Sequence, residues 1–317
     1  MNNHNQTRIT EILLLGFQNT RHLKVFFFIV FLLIYIVTLT GNFVIVLLVA
    51  VHRRLHIPMY FFLSLLSSSE IISTTNIVPK MLSIIVNDGD SISFGGCLTQ
   101  FYIFSASTNS ECFLLTAMSF DRYLAICNPL RYISIMDFKL QLNLAIWSWL
   151  TGLMVTFLIT ILVNNLQFCG PNVIDHFFCD LAPILQLSCS DTTVVKTQAF
   201  IFSVPVIVLP FIFIFFTYIS ISFAILRLSS PDKRQKAFST CSSHLAVVCM
   251  YYGTLISVYL FPQKGESPSM SKVLSLLYII VTPLFNPIIY SLRNQEIQAA
   301  LRRSLCKSTN DINKVMQ

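Results

Sequence analysis

The chain has 317 residues, of which 55% are hydrophobic and only 11% charged, with a formal net charge of +7. An ordinary soluble domain carries about a quarter charged residues, so water is not the main solvent and a soluble enzyme or soluble binding domain is excluded. With 28 Phe against 9 Gly, and without the short alternating segments of a membrane barrel, backbone groups in lipid must be satisfied within helices, and the fold class is an all-α membrane protein.

In chain order, residues 1–23 are largely polar and hold one short apolar run, Ile12 to Leu15. No small-residue cleavage site follows a basic start, so no cleavable signal peptide is expected and the first span serves as the insertion signal. A helix needs about 20 apolar residues to cross about 30 Å of hydrocarbon. Seven spans are placed on that basis, over 24–51, 57–85, 97–130, 140–164, 197–228, 237–262 and 271–291. A long loop occupies 165–196, and a tail follows over 292–317. Within the tail, Ile297, Leu301 and Leu305 recur at helical spacing beside Arg302, Arg303 and Lys307, which predicts a short amphipathic helix on the membrane surface.

Orientation follows from the basic residues. With the N-terminus outside, fourteen of the 21 Lys and Arg fall on the inner side, among them Arg53, Arg54, Arg131, Lys233, Arg234, Arg302 and Arg303. The bias follows the positive-inside rule and predicts an extracellular N-terminus and a cytoplasmic C-terminus in the plasma membrane. These short basic tracts between spans point to anionic lipid and topology, and away from nucleic acid. The sequon Asn5-Gln6-Thr7 then lies outside, where Asn5 can be glycosylated.

Of nine cysteines, Cys97, Cys169, Cys179 and Cys189 face the oxidising side. Four cysteines allow three pairings, and arithmetic does not choose among them. The expectation carried forward is Cys97 with Cys179, holding the long loop over the bundle, and Cys169 with Cys189, closing a smaller loop. The run His176-Phe177-Phe178-Cys179-Asp180 has soft-metal ligand types, but a disulfide at Cys179 removes its thiolate, so no metal site is expected there.

Glu70 and Glu111 fall inside the second and third spans, where an ionised carboxylate is costly and points to function. Glu111 lies eleven residues above Arg122, about 16 Å by helical rise, at a depth close to that of Glu70. Two such carboxylates are reconciled by a shared proton or by a sodium ion between them, and Asn42 and Asn286 are placed to complete that ion pocket. On the third span Phe104, Thr108, Glu111, Leu115, Met118 and Arg122 share one face, with Phe104 and Arg122 about 27 Å apart along it. A packing stripe would share the same spacing. Pro210 in the fifth span, and Pro283 and Pro287 in the seventh, remove backbone donors and predict kinks.

The segment Met118-Ser119-Phe120-Asp121-Arg122-Tyr123-Leu124-Ala125-Ile126-Cys127 resembles the odorant-receptor version of the Asp-Arg-Tyr motif of rhodopsin-like receptors. Leu55 to Ser64 (LHIPMYFFLS), Lys236 to Cys241 (KAFSTC) and Asn286 to Asn294 (NPIIYSLRN) are similar to the family's other signatures, in order and on the expected spans. The departures are Phe120 for a more usual Tyr, Glu70 where Asp is commoner, and Tyr251-Tyr252-Gly253-Thr254 for a Phe-Tyr start.

The resemblance implies a seven-helix receptor that binds a small, mostly apolar odorant and activates a heterotrimeric stimulatory G protein, raising cAMP. It implies an activation switch of Asp121, Arg122, Tyr123, Tyr218, Asn286, Pro287 and Tyr290, with Tyr218 and Tyr290 reorganising around Arg122 as the sixth helix moves. Carried over by position, the ligand pocket would draw on Phe104, Ser105, Thr108, Asn109, Phe202, Ser203, Val206, Tyr252, Leu255 and Tyr259. No cofactor is implied beyond the possible sodium ion. An amine receptor would want an acid near Phe104 and an opsin a lysine near Ile280, and neither is present. A transporter would show inverted repeats or paired broken helices, and an enzyme a converging catalytic cluster; neither is evident.

Overall fold

The structure is a computed structural model and describes residues 9–17, 23–169, 171–259 and 268–304. Its long helices are α1 (Lys24–Val51), α2 (Pro58–Asn87), α3 (Phe94–Cys127) and α5 (Phe138–Asn164), with the short α4 (Pro129–Ile135) between the last two. In the loop after α5 lies α6 (Leu181–Gln186). The fifth long element is α7 (Thr193–Ser203) continued by a π-helical turn, Val204–Val208, and α8 (Leu209–Leu226). The sixth is α9 (Pro231–Tyr259), and the seventh is α10 (Pro268–Leu276), a second π turn at Leu277–Val281, and α11 (Thr282–Arg293). A further helix, α12, covers 295–304. The chain is a seven-helix bundle and a multi-pass membrane protein.

Burial explains the composition of each helix. Helices α1 and α5 bury few of their residues and present Phe26, Ile29, Leu33, Trp147, Met154 and Phe157 outward, as lipid-facing helices do. Helix α3 packs against α2, α5 and α8 and buries more than half of its residues, including Ser107, Ser110, Glu111, Ser119 and Asp121. Because protein surrounds it, polar groups on α3 find partners inside the bundle, and the helix is less apolar than its lipid-facing neighbours. At Gly152 of α5 an added Cβ would lie 2.6 Å from the carbonyl oxygen of Ala106, so a small residue is what lets α5 approach α3 this closely.

Each π turn ends just ahead of a proline. Val204–Val208 precedes Pro210, and Leu277–Val281 precedes Pro283. Proline lacks the N–H that continues the regular ladder and its ring crowds the preceding turn; one residue of slack there relieves both.

A three-stranded sheet in the order β2-β1-β3 caps one end of the bundle. Strand β1 (Glu11–Leu14) pairs antiparallel with β2 (Asp90–Ser93) and parallel with β3 (Val173–Ile174). Strand alternation turns Ile12 and Leu14 inward, both fully buried, which gives the short apolar run near the N-terminus its role. Gly16 follows at φ 61, where a Cβ would strike Ile84. Cys97 is joined to Cys179 and Cys169 to Cys189, which fixes the long loop over this end. We refer to it as the sheet end and to the opposite one, bearing α4 and α12, as the tail end.

Lys272 of α10 fastens the cap. Its ammonium donates to the Gly16 carbonyl at 2.7 Å and to Asp175 Oδ1 at 2.6 Å. Beside it the His176 imidazole lies between the Phe177 and Phe178 rings, with no partner at Nδ1 among the described residues. Burial first, then the Lys272 ammonium, push His176 down to about 3, against a weaker opposing pull from Asp175. The ring therefore folds neutral, while an unfolded histidine takes its proton near pH ~6.5. The full contribution is present above that pH and is lost progressively toward pH 3, about 2 kcal/mol by pH ~5. Purified protein is expected to melt at lower temperature at acid pH, and His176→Gln to shrink that drop; an equal drop in the variant contradicts the assignment.

Candidate functional site

A small cavity lies in the sheet-end half of the bundle, among α2, α3 and the seventh helix. It is lined by Glu70, Ser73, Phe104, Thr108, Glu111 and Tyr278, together with Ile279, Thr282 and Pro283. Its void of about 10 Å³ holds about one water molecule. Larger occupants require side chains to move.

Aromatic rings form its roof and one wall. Phe104 meets Phe178 of the loop edge-on at 5.4 Å and Tyr278 at 5.7 Å. Thr108 organises the polar side: its hydroxyl accepts from Tyr278 Oη at 2.7 Å, and its carbonyl accepts from Tyr251 Oη at 2.6 Å. Three helices thus converge on one residue of α3. The Tyr252 hydroxyl is buried on the sixth helix with the Cys112 thiol of α3 beside it.

The acidic pair is brought together as spacing predicts. Both Glu70 and Glu111 line the cavity and are buried. Asn286 donates its amide to Glu70 Oε1. Glu111 Oε1, Thr282 Oγ1 and Asn286 Oδ1 have no hydrogen-bond partner among the described residues. Asn42 is displaced from this set: its amide donates to the Thr38 carbonyl at 3.0 Å and the Pro283 carbonyl at 3.1 Å, bracing α1 against α11 instead of facing the void. The donor set around the cavity is all oxygen.

The positions assigned to a ligand pocket do not all converge. Phe104 and Thr108 line the cavity. Val206, Tyr252 and Leu255 are buried nearby on the fifth and sixth helices, with the Tyr252 ring 5.1 Å from that of Phe211. Asn109 turns toward α5 and donates to Thr156 Oγ1 at 3.1 Å, and Ser105 is half-buried. Phe202 packs in the sheet-end cluster. Ser203 is exposed, because the π turn between it and Val206 rotates it off the face that regular spacing gives. The Tyr259 side chain and Asn5 lie outside the described residues. Tyr278, Tyr251 and Phe178 carry much of the geometry, and none of them was among the residues expected to form the pocket. Their signal is ring spacing across three elements, which no local period displays.

At the tail end, Arg122 Nε donates to Asp121 Oδ2 at 2.8 Å and a guanidinium nitrogen reinforces that contact. The second carboxylate oxygen accepts from Tyr132 Oη of α4 at 2.7 Å. Tyr218 bonds His244 Nδ1 across the fifth and sixth helices, and the buried Tyr290 hydroxyl has no partner among the described residues. Neither tyrosine bonds Arg122 here. Tyr123 is half-buried against the main core, and Pro287 sits 3.0 Å from where a Cβ on Gly41 would be. Tyr60 of α2 donates to Asn294 Oδ1 at 2.8 Å, the same oxygen that caps α12 through the amide of Glu296. Helix α12 buries Ile297 and Ala300 and exposes Arg302 and Arg303.

The bundle thus has a small cavity at one end and an ion pair at the other, joined by one helix. The chain matches the olfactory receptor family over residues 31–308. It is 50% identical over 301 residues to olfactory receptor 10A7 of Homo sapiens, covering 95% of each chain. It is 46% identical over 307 residues to olfactory receptor 5G25 of Mus musculus, covering 97% of this chain and 96% of the relative. With olfactory receptor 1f45 of Rattus norvegicus it shares 44% over 305 residues, covering 96% and 97%. Similarity of this extent, end to end, on a seven-helix membrane bundle, makes the chain a member of the olfactory receptor family of G-protein-coupled receptors.

Proposed function

We propose that the sheet end faces outside the plasma membrane, that a small, mostly apolar volatile molecule binds around Phe104 and Thr108, and that the tail end activates a stimulatory heterotrimeric G protein and so raises cAMP. The observation that carries this reading is the continuity of α3. One helix supplies Phe104, Thr108 and Glu111 to the cavity and Asp121 and Arg122 to the far-end ion pair. An apolar wall supplies affinity through burial, and the Thr108, Tyr278 and Tyr252 hydroxyls supply orientation. Seating a ligand must move Tyr278 or Tyr251, both hydrogen-bonded to Thr108, and both stand on helices that reach the tail end. A ligand that favours one arrangement of those helices shifts the population of the other end.

The test is expression with a cAMP readout and a panel of volatiles, parent against Arg122→Ala at matched surface density. Ligand-evoked cAMP in the parent and its loss in the variant are expected. Signalling that ignores the change refutes the switch, and ligand-gated ion flux without cAMP favours a channel.

A sodium ion among Glu70, Glu111 and Asn286 fits the all-oxygen donor set and the partnerless oxygens of Glu111 and Asn286. When bound it supplies positive charge between two carboxylates. If so, replacing sodium by choline lowers the agonist concentration needed by the parent but leaves Glu111→Gln unchanged. Identical dose-response curves for the parent in the two salts indicate a shared proton instead.

A further inference from the structure

A second void lies between α1, α2 and the seventh helix, with Phe31, Ile34, Tyr35, Thr38, Val78 and Ile280 among its lining. Ile279 lines both this crevice and the central cavity. The two voids are therefore neighbours with one shared wall residue. That residue sits in the middle of the π turn Leu277–Val281, where the backbone ladder is already irregular and the wall can shift without breaking a regular helix.

The crevice and the water-facing side differ in how they are closed. On the sheet side Ile12, Leu14, Phe177, Phe178 and Cys179 are at most 2% exposed, two disulfides hold the loop, and Lys272 fastens α10 to Gly16 just after β1 and to Asp175 of the loop. Toward α1 the cover among the described residues is thinner. Phe31, Ile34 and Tyr35, which line the crevice, are themselves only partly buried, and in a multi-pass membrane protein the uncovered part of an α1 side chain meets lipid. Phe31 lies about 10 Å along the helix from Lys24 by helical rise, so the crevice faces the leaflet on the sheet side.

We propose that this crevice is a second binding site and the route by which the ligand arrives: an apolar small molecule dissolved in that leaflet seats between α1 and the seventh helix, then passes Ile279 to reach Phe104 and Thr108. The proposal rests on the ligand reading above. Its occupant follows from continuity with the central cavity and from chemistry, since Phe31, Ile34, Val78, Ile279 and Ile280 make most of the lining uncharged and apolar, with the Thr74 hydroxyl donated to the Glu70 carbonyl and the Tyr35 hydroxyl to Thr75. A charged or strongly hydrated molecule has nothing to replace its water there.

Thiol labelling tests the route without knowledge of the ligand. In native membranes, Thr108→Cys serves as the reporter, with the Thr108 parent correcting for native cysteines. The uncharged probe is N-phenylmaleimide, and the charged one is the trimethylammonium-ethyl methanethiosulfonate. Labelling by the uncharged probe only is expected, slowed severalfold by adding Ile279→Trp and quickened by adding Phe31→Ala. If Ile279→Trp does not reach the surface, Phe31→Ala decides alone. Labelling by the charged probe at a comparable rate, or rates indifferent to both changes, overturns the proposal. The volatile panel is scored separately: a failed panel with the expected labelling removes the ligand reading and keeps the route, and a successful panel with indifferent labelling does the reverse.

Discussion

Asp121→Asn is expected to raise cAMP in the absence of any ligand by about tenfold. The carboxylate is fully buried and is held on one oxygen by Arg122 and on the other by Tyr132. Hydrogen bonds to a charged group contribute about 1.5–3 kcal/mol and neutral ones about half that. Losing the charge therefore removes on the order of 1.5 kcal/mol from the arrangement that has the pair, and each 1.4 kcal/mol is about a factor of ten in population. Tyr132→Phe removes one neutral donor and is expected to act in the same direction, more weakly. Basal cAMP at matched surface density measures both. Unchanged or reduced basal signal in Asp121→Asn shows that the pair does not hold a resting state.

The second large effect is structural. Cys97→Ser is expected to leave little protein at the cell surface. The Cys97–Cys179 bond spans 82 residues and Cys169–Cys189 spans 20. Chain entropy alone assigns these about 4.5 and about 3 kcal/mol respectively. The first also anchors the loop that brings Phe178 onto Phe104 at the cavity roof, and Gln100 of α3 reaches the same place, its Oε1 accepting from the Cys179 amide at 2.9 Å. Surface fraction is expected to fall further for Cys97→Ser than for Cys169→Ser, and the reverse order contradicts this division of roles.

Much of the fold was legible because lipid imposes a simple code. Helix α1 runs over the residues that hydropathy marks, since it touches lipid on most of its surface. Helices α3 and α9 are harder to read from hydropathy, because buried helices keep polar groups such as Ser119 and His244 that lipid would reject. Depth along a helix was equally legible, and it brings Glu70 and Glu111 together. Rotation was not. Asn42 points at a backbone carbonyl of α11, Asn109 at α5, and Ser203 outward. Those directions depend on crossing angles and on π turns, which leave no periodic trace. The Lys272 fastening was illegible for another reason: its partners Gly16 and Asp175 lie 256 and 97 residues away, and no pattern within one segment encodes such a meeting.

The central claim is that ligand around Phe104 and Thr108 changes the helix arrangement at Arg122. Spin labels at Leu130 of α4 and Phe238 of α9, both exposed at the tail end, report that arrangement directly in a background with the exposed Cys249 replaced. With a volatile that raises cAMP, the interlabel distance distribution is expected to gain a longer component, and Asp121→Asn to show part of that component without ligand. One distribution, the same with and without an activating volatile, contradicts the two-arrangement switch.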